Sequence, residues 1–452
     1  MSKISTSLIN LARTGVSRRH VLQGIGAAGV AGLATSLAGR AFAADVTIRW
    51  WSPQASPDQL AMYNAQIAAF EAANPGVKVL FEPTSDEGYP AQFAAAFAAK
   101  QVPNVVTHLP SFAAQNYYGQ GLLEPMDDVI KAIGEDKYFP GANDVYKTAD
   151  GHFCGTAIGN TAADMLWLRK DLMQKAGIDK APETWDELRT AAQKMQGGGI
   201  YGAPLPYGLN SMTSLIFIGF IHRAGGQVFT KDLDIALDSD GTYKALEFYK
   251  SMREFCPPGA TNYSWGESLT AFVSGATATG IYAGRVLANV TAQNPEIADS
   301  VTCAVYPTIS KDVPNWTFND FPSVFIPKDA SDMDVTKKFA AFLFEPKGYI
   351  PQLHAAPGHV LPVLKTIAED PAYLDNPIIK KFPKEVALMS EAAAAGKNLG
   401  YENEGWKPNL KANEIIGSNA IAELVQRVIL NGEDAKATVK EISGKIEAIM
   451  KA

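Results

Sequence analysis

Hydrophobic and polar positions alternate at the start of the stretch DVTIRWW (45–51), where Val46, Ile48 and Trp50 share one side of an extended chain and predict a strand. In the following SPDQLAMYNAQIAAFEAANPG, Leu60, Tyr63, Ile67 and Phe70 recur at spacings of three and four. That is one face of a helix, and Asn74-Pro75-Gly76 stops it. Alternation returns in VKVLFEP, with Val77, Val79 and Phe81 on one face; Phe93 and Phe97 among alanines mark a second helix, and VPNVVTHLP a third, buried strand. The order βαβαβ predicts an α/β lobe with a mainly parallel sheet.

Further on, TWDELRTAAQKM places Thr184 three residues before Glu187, a capping box, and lines up Trp185, Leu188, Ala192 and Met195 as a buried stripe. Gly197 to Gly199 then end the helix; no Lys-Ser or Lys-Thr follows at the spacing of a phosphate-binding loop. Helix and short strand alternate up to TAFVSGATATGIYAGR. CAVYPTI and FPSVFIP read as short apolar strands that return to the first sheet. Val335, Phe339 and Phe342, and later Val439, Ile442, Ile446 and Ile449, form helical stripes. Beyond the N-terminal region, the strongest apolar run is SLIFIGFIH (214–222), about half the ~18–20 residues a spanning helix needs, which predicts a core helix.

Residues 1–43 have the composition of a secretory leader: Lys3, Arg13, Arg18 and Arg19, a soft Ala- and Gly-rich stretch from Val21 to Gly39, and Ala41-Phe42-Ala43 as an A-x-A cleavage site. SRRHVL (17–22) resembles the twin-arginine export signal, so the expected location is the periplasm. Five of the 40 Lys and Arg residues and none of the 47 acids fall in these 43 residues, leaving 35 against 47, a charge of −12 over 409 residues. An acidic chain without a basic run excludes nucleic acid as the expected partner, and 409 residues suggest two lobes rather than one core. Cys154, Cys256 and Cys303 are too few and scattered for a disulfide framework; one bridge or three buried thiols both fit.

Catalytic signatures are weak. The six histidines never fall at i, i+4, there is no HExxH, CxxC or GxSxG, and GIGAAG (24–29) lies in the leader rather than after a strand. No metal or cofactor is expected. Aromatics set among polar residues in loops are the positive signal: Trp51, Trp265, Tyr282, Trp316 and Trp406. Flat rings stack on the apolar faces of sugars, while neighbouring amides and carboxylates satisfy hydroxyls.

The stretch MLWLRKDLMQKAGIDKAPETWDELRTAAQKM (165–195), with FEAANPGVKV, QGLLEPMDD, AFVSGATATGIYAGR and PGHVLPVLK in the same order, resembles the solute-binding proteins of ABC importers, in the carbohydrate-binding branch related to maltose-binding protein. The resemblance implies a two-lobed α/β fold of type II-like form, each lobe a mainly parallel sheet flanked by helices, with hinge crossovers near Thr156 to Ala162, Ser300 to Ala304 and Ile326 to Asp334. The N-terminal lobe is then expected over 44–157 with 303–332, and the C-terminal lobe over 158–302 with 333–452. It further implies a non-enzymatic monomer that captures a sugar or sugar derivative and delivers it to an inner-membrane permease with its ATPase; a secreted lyase or glycosidase is the alternative. Ligand contacts are expected from Trp51, Ser52, Gln54, Asp86, Ser111, Asn160, Trp265, Arg285, Trp316, Asn319, His359 and Trp406. Where many relatives have Gly-Pro-Trp, this chain has Gly284-Arg285. Arg285 therefore either meets an anionic group on the ligand, donates to a hydroxyl, or pairs with Glu267 or Asp320.

Overall fold

The computed structural model describes residues 46–85, 88–403 and 405–452. The leader, with its twin arginines and cleavage site, and Asp86 lie outside the described residues. Strand β1 (Val46–Ser52), helix α1 (Pro57–Ala73), β2 (Val77–Pro83), α2 (Tyr89–Ala99) and β3 (Val105–Thr107) follow in the order the periodicity predicts. β1 runs parallel to both neighbours, pairing Val46 with Val77 and Trp50 with Val105. Burial of the alternating positions drives this arrangement. The Trp50 ring is fully buried, 4.5 Å from Tyr63 on α1 and 5.2 Å from Phe81 on β2, and its Nε1 donates to Thr107 Oγ1 at 2.9 Å. A capping box between Ser56 and Gln59 starts α1 immediately after the loop that follows β1.

Helix α3 (Ser111–Gly119) and strand β4 (Thr156–Ala157) complete the early chain, and β5 (Met165–Arg169) opens a second sheet. There follow α4 (Trp185–Met195), α5 (Ser211–Arg223), α6 (Trp265–Val273), β6 (Thr279–Tyr282), α7 (Arg285–Gln293), β7 (Val301–Ala304), β8 (Ser323–Phe325), α8 (Met333–Phe342), α9 (Pro346–His354), α10 (Ala412–Gly417) and α11 (Ala435–Lys451), named here without the shorter connecting helices. The Thr184–Glu187 capping box forms, and Trp185 stacks on Phe248 at 4.4 Å. Every residue of α5 from Met212 to Arg223 is buried, so the strongest apolar run is a core helix. Among the described residues no helix is long and apolar enough to cross a membrane. All three cysteines are buried and free.

The strands form two sheets, ordered β2-β1-β3-β8-β4 and β6-β5-β7. Three expectations are corrected by the pairing and packing. First, CAVYPTI does not return to the first sheet: β7 pairs with β5, Trp167 opposite Cys303, and only β8 goes back. An apolar run specifies burial but not the strand it lies against. Second, the second sheet is antiparallel, because β5 enters from the first lobe and lies between β6 and β7, running against both. A parallel companion of the β6 edge is reduced to a single bridge, Tyr201 with Thr277; Pro204 and Pro206 follow and lack the N–H groups a longer ladder needs. Third, the chain does not leave the first sheet at residue 332. Phe339 on α8 packs 5.5 Å from Trp50 and 5.0 Å from Phe70, and Gln66 on α1 donates to the Gly348 carbonyl of α9 at 2.7 Å.

The connections between the sheets therefore fall at residues 158–164, between β4 and β5, and at 305–322, between β7 and β8. Asn319 ties these two passages together. Its Oδ1 accepts from the Thr161 and Phe321 amides, and its Nδ2 donates to the Ala393 carbonyl at 2.8 Å and to Asn160 Oδ1 at 3.4 Å.

Candidate functional site

A cleft of about 730 Å³ opens where loops of both sheets meet, within the ~300–1,000 Å³ usual for small-molecule sites. From the first sheet it is lined by the loop after β1 (Pro53 to Ser56), Gln59 on α1, Tyr89 at the start of α2, and His108 and Phe112 after β3. The second side supplies Asn210 at the N-cap of α5, Trp265 at the first turn of α6, Tyr282 at the end of β6, and Arg285 at the first turn of α7. Thr161, Phe318 and Asp320, from the two connecting passages, form the floor. Ligand sites at the carboxyl ends of strands are the rule for open α/β sheets, since the chain turns there into helices and leaves side chains converging on one crevice.

The polar groups are held in register by one another. Gln54 Oε1 accepts from Gln59 Nε2 at 2.6 Å and, across the cleft, from Arg285 Nη2 at 2.9 Å. Tyr89 donates to Asn413 Oδ1 at 2.5 Å, on helix α10, which is itself held to α3 by Asn116 Nδ2 donating to the Leu410 carbonyl at 2.9 Å. Trp265 meets Tyr282 edge-on at 5.7 Å, so both rings border the cavity as a rigid aromatic corner. Gly284 lets this end close: a Cβ there would lie 1.9 Å from the Gly358 carbonyl oxygen, so the loop carrying His359 rests directly on the first turn of α7.

His108 illustrates how a tautomer is set from a distance. The Gly348 carbonyl only accepts, so the bond from Gln66 Nε2 orients the Gln66 amide; Gln66 Nε2 also approaches Gln352 Oε1 at 3.4 Å. Gln352 then presents its Nε2 to His108 Nε2 at 2.7 Å, which makes that ring nitrogen the acceptor and Nδ1 the protonated one, close to Thr107 Oγ1 and Ser52 Oγ. Burial, and secondarily the charge of Arg285, lowers the His108 pKa to about 3. Burial likewise pushes His359 well below the usual histidine range, helped by Arg285 and His108. Both imidazoles are neutral at pH 7. The His108 backbone is left-handed at φ +64°, an unusual conformation for a residue with a Cβ and one that recurs at functional sites.

Of the residues expected from the sequence to touch ligand, Gln54, Trp265, Arg285 and His359 line the cleft. Others are placed elsewhere. Trp51 is buried, packs edge-on to Phe93 at 5.3 Å and donates from Nε1 to Glu82. Ser52 is buried behind His108. Ser111 accepts from Asn398 Nδ2 at 3.0 Å, and Asn160 and Asn319 bind each other and the connecting backbone. Trp316 stacks on His222 at 4.6 Å, with its Nε1 on the Glu402 carbonyl, so its ring is spent on the core. Trp406 sits half-buried in a late turn outside the cleft lining, and Asp86 is outside the described residues. Trp51, Ser52, Ser111, Asn160, Trp316 and Asn319 sit in loops or at strand or helix ends, but their side chains are engaged by internal partners. Sequence reasoning missed Gln59, His108, Phe112, Asn210, Asp320 and Asn413. His108 was available to the rule that the loop after each strand supplies contacts; Asn413 carries no such signal.

Two facing lobes with a polar and aromatic cleft between them, and contributions from loops after strands of both sheets, define a binding protein of the two-lobed receptor class. Residues 55–350 match the family described as bacterial extracellular solute-binding protein, and the chain belongs to that family. YcjN of Escherichia coli strain K12, named as an ABC transporter periplasmic-binding protein, is 22% identical over 416 residues, covering 90% of this chain and 93% of its own. The sn-glycerol-3-phosphate-binding periplasmic protein UgpB of Agrobacterium fabrum is 30% identical over 167 residues, 35% of this chain and 37% of its own. In fold, the chain is similar to the maltose-bound T. maritima MalE3, with a TM-score of 0.76 at 20% identity over 89% of this chain and 100% of that one.

Proposed function

We propose that this chain is the extracytoplasmic receptor of an ABC importer, and that it captures a sugar or sugar derivative in the cleft between its lobes. The observation that carries the reading is the composition of that cleft: a Trp265–Tyr282 corner for stacking, set against hydrogen-bonding side chains at Gln54, Gln59, Asn210 and Asn413. Family membership and the names of the relatives favour a receptor over a secreted lyase or glycosidase. Gln54, Trp265, Arg285 and His359 are the ligand contacts we assign among those expected from sequence.

The lobes close by hinge motion about the 158–164 and 305–322 passages, with a third return to the second lobe after α9 rather than at residue 332. Closure brings Arg285 onto Gln54, so an occupied receptor presents a lobe geometry that a membrane permease with its ATPase can recognise. Export to the periplasm as a folded monomer, through the twin-arginine leader, completes the proposal. The test is native mass spectrometry of the freshly purified protein, followed by a thermal-shift screen over neutral and acidic sugars. A bound sugar recovered unchanged, raising the melting temperature by mass action, supports the receptor; conversion of the sugar, or no stabilisation by any of them, refutes it.

A further inference from the structure

Among the described residues, no ion pair answers the charge of Arg285 in the cleft. Arg285 takes part in none of the ion pairs found among the described residues, and Glu267, one of the partners expected for it, is engaged in capping α6 by accepting from the Ser264 amide at 3.0 Å. Its one side-chain hydrogen bond goes to a neutral amide, Gln54. Its Nε is shielded from solvent and has no partner. Asp320, the one acid lining the cleft among the described residues, is not within ion-pair distance of the guanidinium. A second orphan lies at the same end: His359 Nδ1 is buried without a hydrogen bond, on the loop that Gly284 allows to rest against α7.

A half-buried guanidinium is costly when neither water nor a carboxylate answers its charge, and an unmet buried donor adds to that cost. Sugar hydroxyls would satisfy the donors but leave the charge unbalanced. Neither histidine adds to the charge, because both are held neutral, so one fixed positive centre faces one end of the cavity. The first turn of α7 contributes in the same sense: no side chain caps it and no acid stands in its first turn.

We propose that this end of the cleft is a subsite for an anionic oxygen group, a carboxylate or a phosphate ester, carried by the sugar derivative. Arg285 binds it through Nε and the guanidinium fork, Gln54 from the opposite lobe positions that fork, and His359 Nδ1 donates or accepts alongside. The subsite is complete only when the lobes meet, which couples recognition of the charge to closure. The inference rests on the receptor reading above and specifies its substrate class.

The test uses the mature protein and a panel of hexoses and disaccharides, each as the neutral sugar, the uronate and the phosphate ester, titrated by calorimetry at low and high salt. An anionic member is expected to bind at least ~100-fold tighter than its neutral parent, and to weaken with salt. R285Q should weaken the anionic members by at least ~30-fold more than their neutral parents, which lose only a hydrogen-bond donor, and R285K should fall between, since it keeps charge but loses the fork. An unchanged melting temperature of unliganded R285Q shows that folding is not the cause. Uronate against phosphate ester identifies the source of the anion. Equal binding of neutral and anionic members, or equal losses for both in R285Q, overturns the subsite and leaves the sugar receptor standing. Binding of no sugar in any form overturns both.

Discussion

Gly284→Ala tests whether the close approach of two backbones shapes the cleft. The added methyl would meet the Gly358 carbonyl oxygen at 1.9 Å and the Met389 Cε at 3.0 Å. The methionine end swings away at little cost, but the carbonyl belongs to backbone, so the 358–359 loop or the first turn of α7 must retreat by roughly 1 Å. Overpacking of that kind costs about 1–3 kcal/mol. The displacement also separates His359 from Arg285, so ligand affinity should fall about tenfold or more, beyond what stability alone explains. Urea unfolding, monitored by tryptophan fluorescence, reads the first effect, and calorimetric titration of the sugar identified by mass spectrometry reads the second. G284A with wild-type stability and wild-type affinity would refute the contact as drawn. Loss of stability with unchanged affinity would show that this loop does not shape the binding end.

Trp265→Ala should weaken sugar binding by about 2 kcal/mol, roughly thirtyfold in Kd, while lowering stability little, because the ring is only half-buried; equal affinity for wild type and variant by titration would remove Trp265 from the site. His108 makes stability depend on pH with a definite sign. Its folded pKa of about 3 lies below the ~6.5 of the unfolded chain, so the unfolded state takes up a proton first as pH falls. The contribution is fully present above about pH 6.5 and is lost toward pH 3, with a limiting slope of about 1.4 kcal/mol per pH unit from this one proton. His108→Gln should flatten the stability–pH curve in that window, as measured by denaturant titrations at several pH values; a steeper curve would contradict a neutral buried His108. Replacing Arg18-Arg19 by Lys-Lys should block export while the folded protein keeps its ligand affinity; normal periplasmic yield on fractionation would rule out twin-arginine export.

What was legible in the sequence was local. Alternation at Val46, Ile48 and Trp50, the stripe from Leu60 to Phe70 and the Thr184–Glu187 box each encode an element through its own period, and each element formed. Burial of α5 was legible for the same reason: a nine-residue apolar run, SLIFIGFIH, cannot face water on any side. Partner choice was not. β7 has the pattern of any short buried strand, and only the path of β5 between it and β6 decides which sheet it joins and in which direction. The stripe of α8 likewise promises a hydrophobic contact without naming Trp50 as the surface that receives it.

The site divides the same way. Loops after strands could be picked out, and Gln54, Trp265, Arg285 and His359 do meet in one cleft. Which aromatic faces it could not be read, because Trp51, Trp265 and Trp316 look alike in a chain of letters. Trp51 goes to Phe93 and Trp316 to His222, leaving Trp265 for the cleft. Residue type and spacing determine what an element is and how much of it must be buried. Direction of a side chain, the partner of a strand and the meeting of Arg285 with Gln54 depend on what the rest of the chain places beside them, and those distances exist only once the molecule has folded.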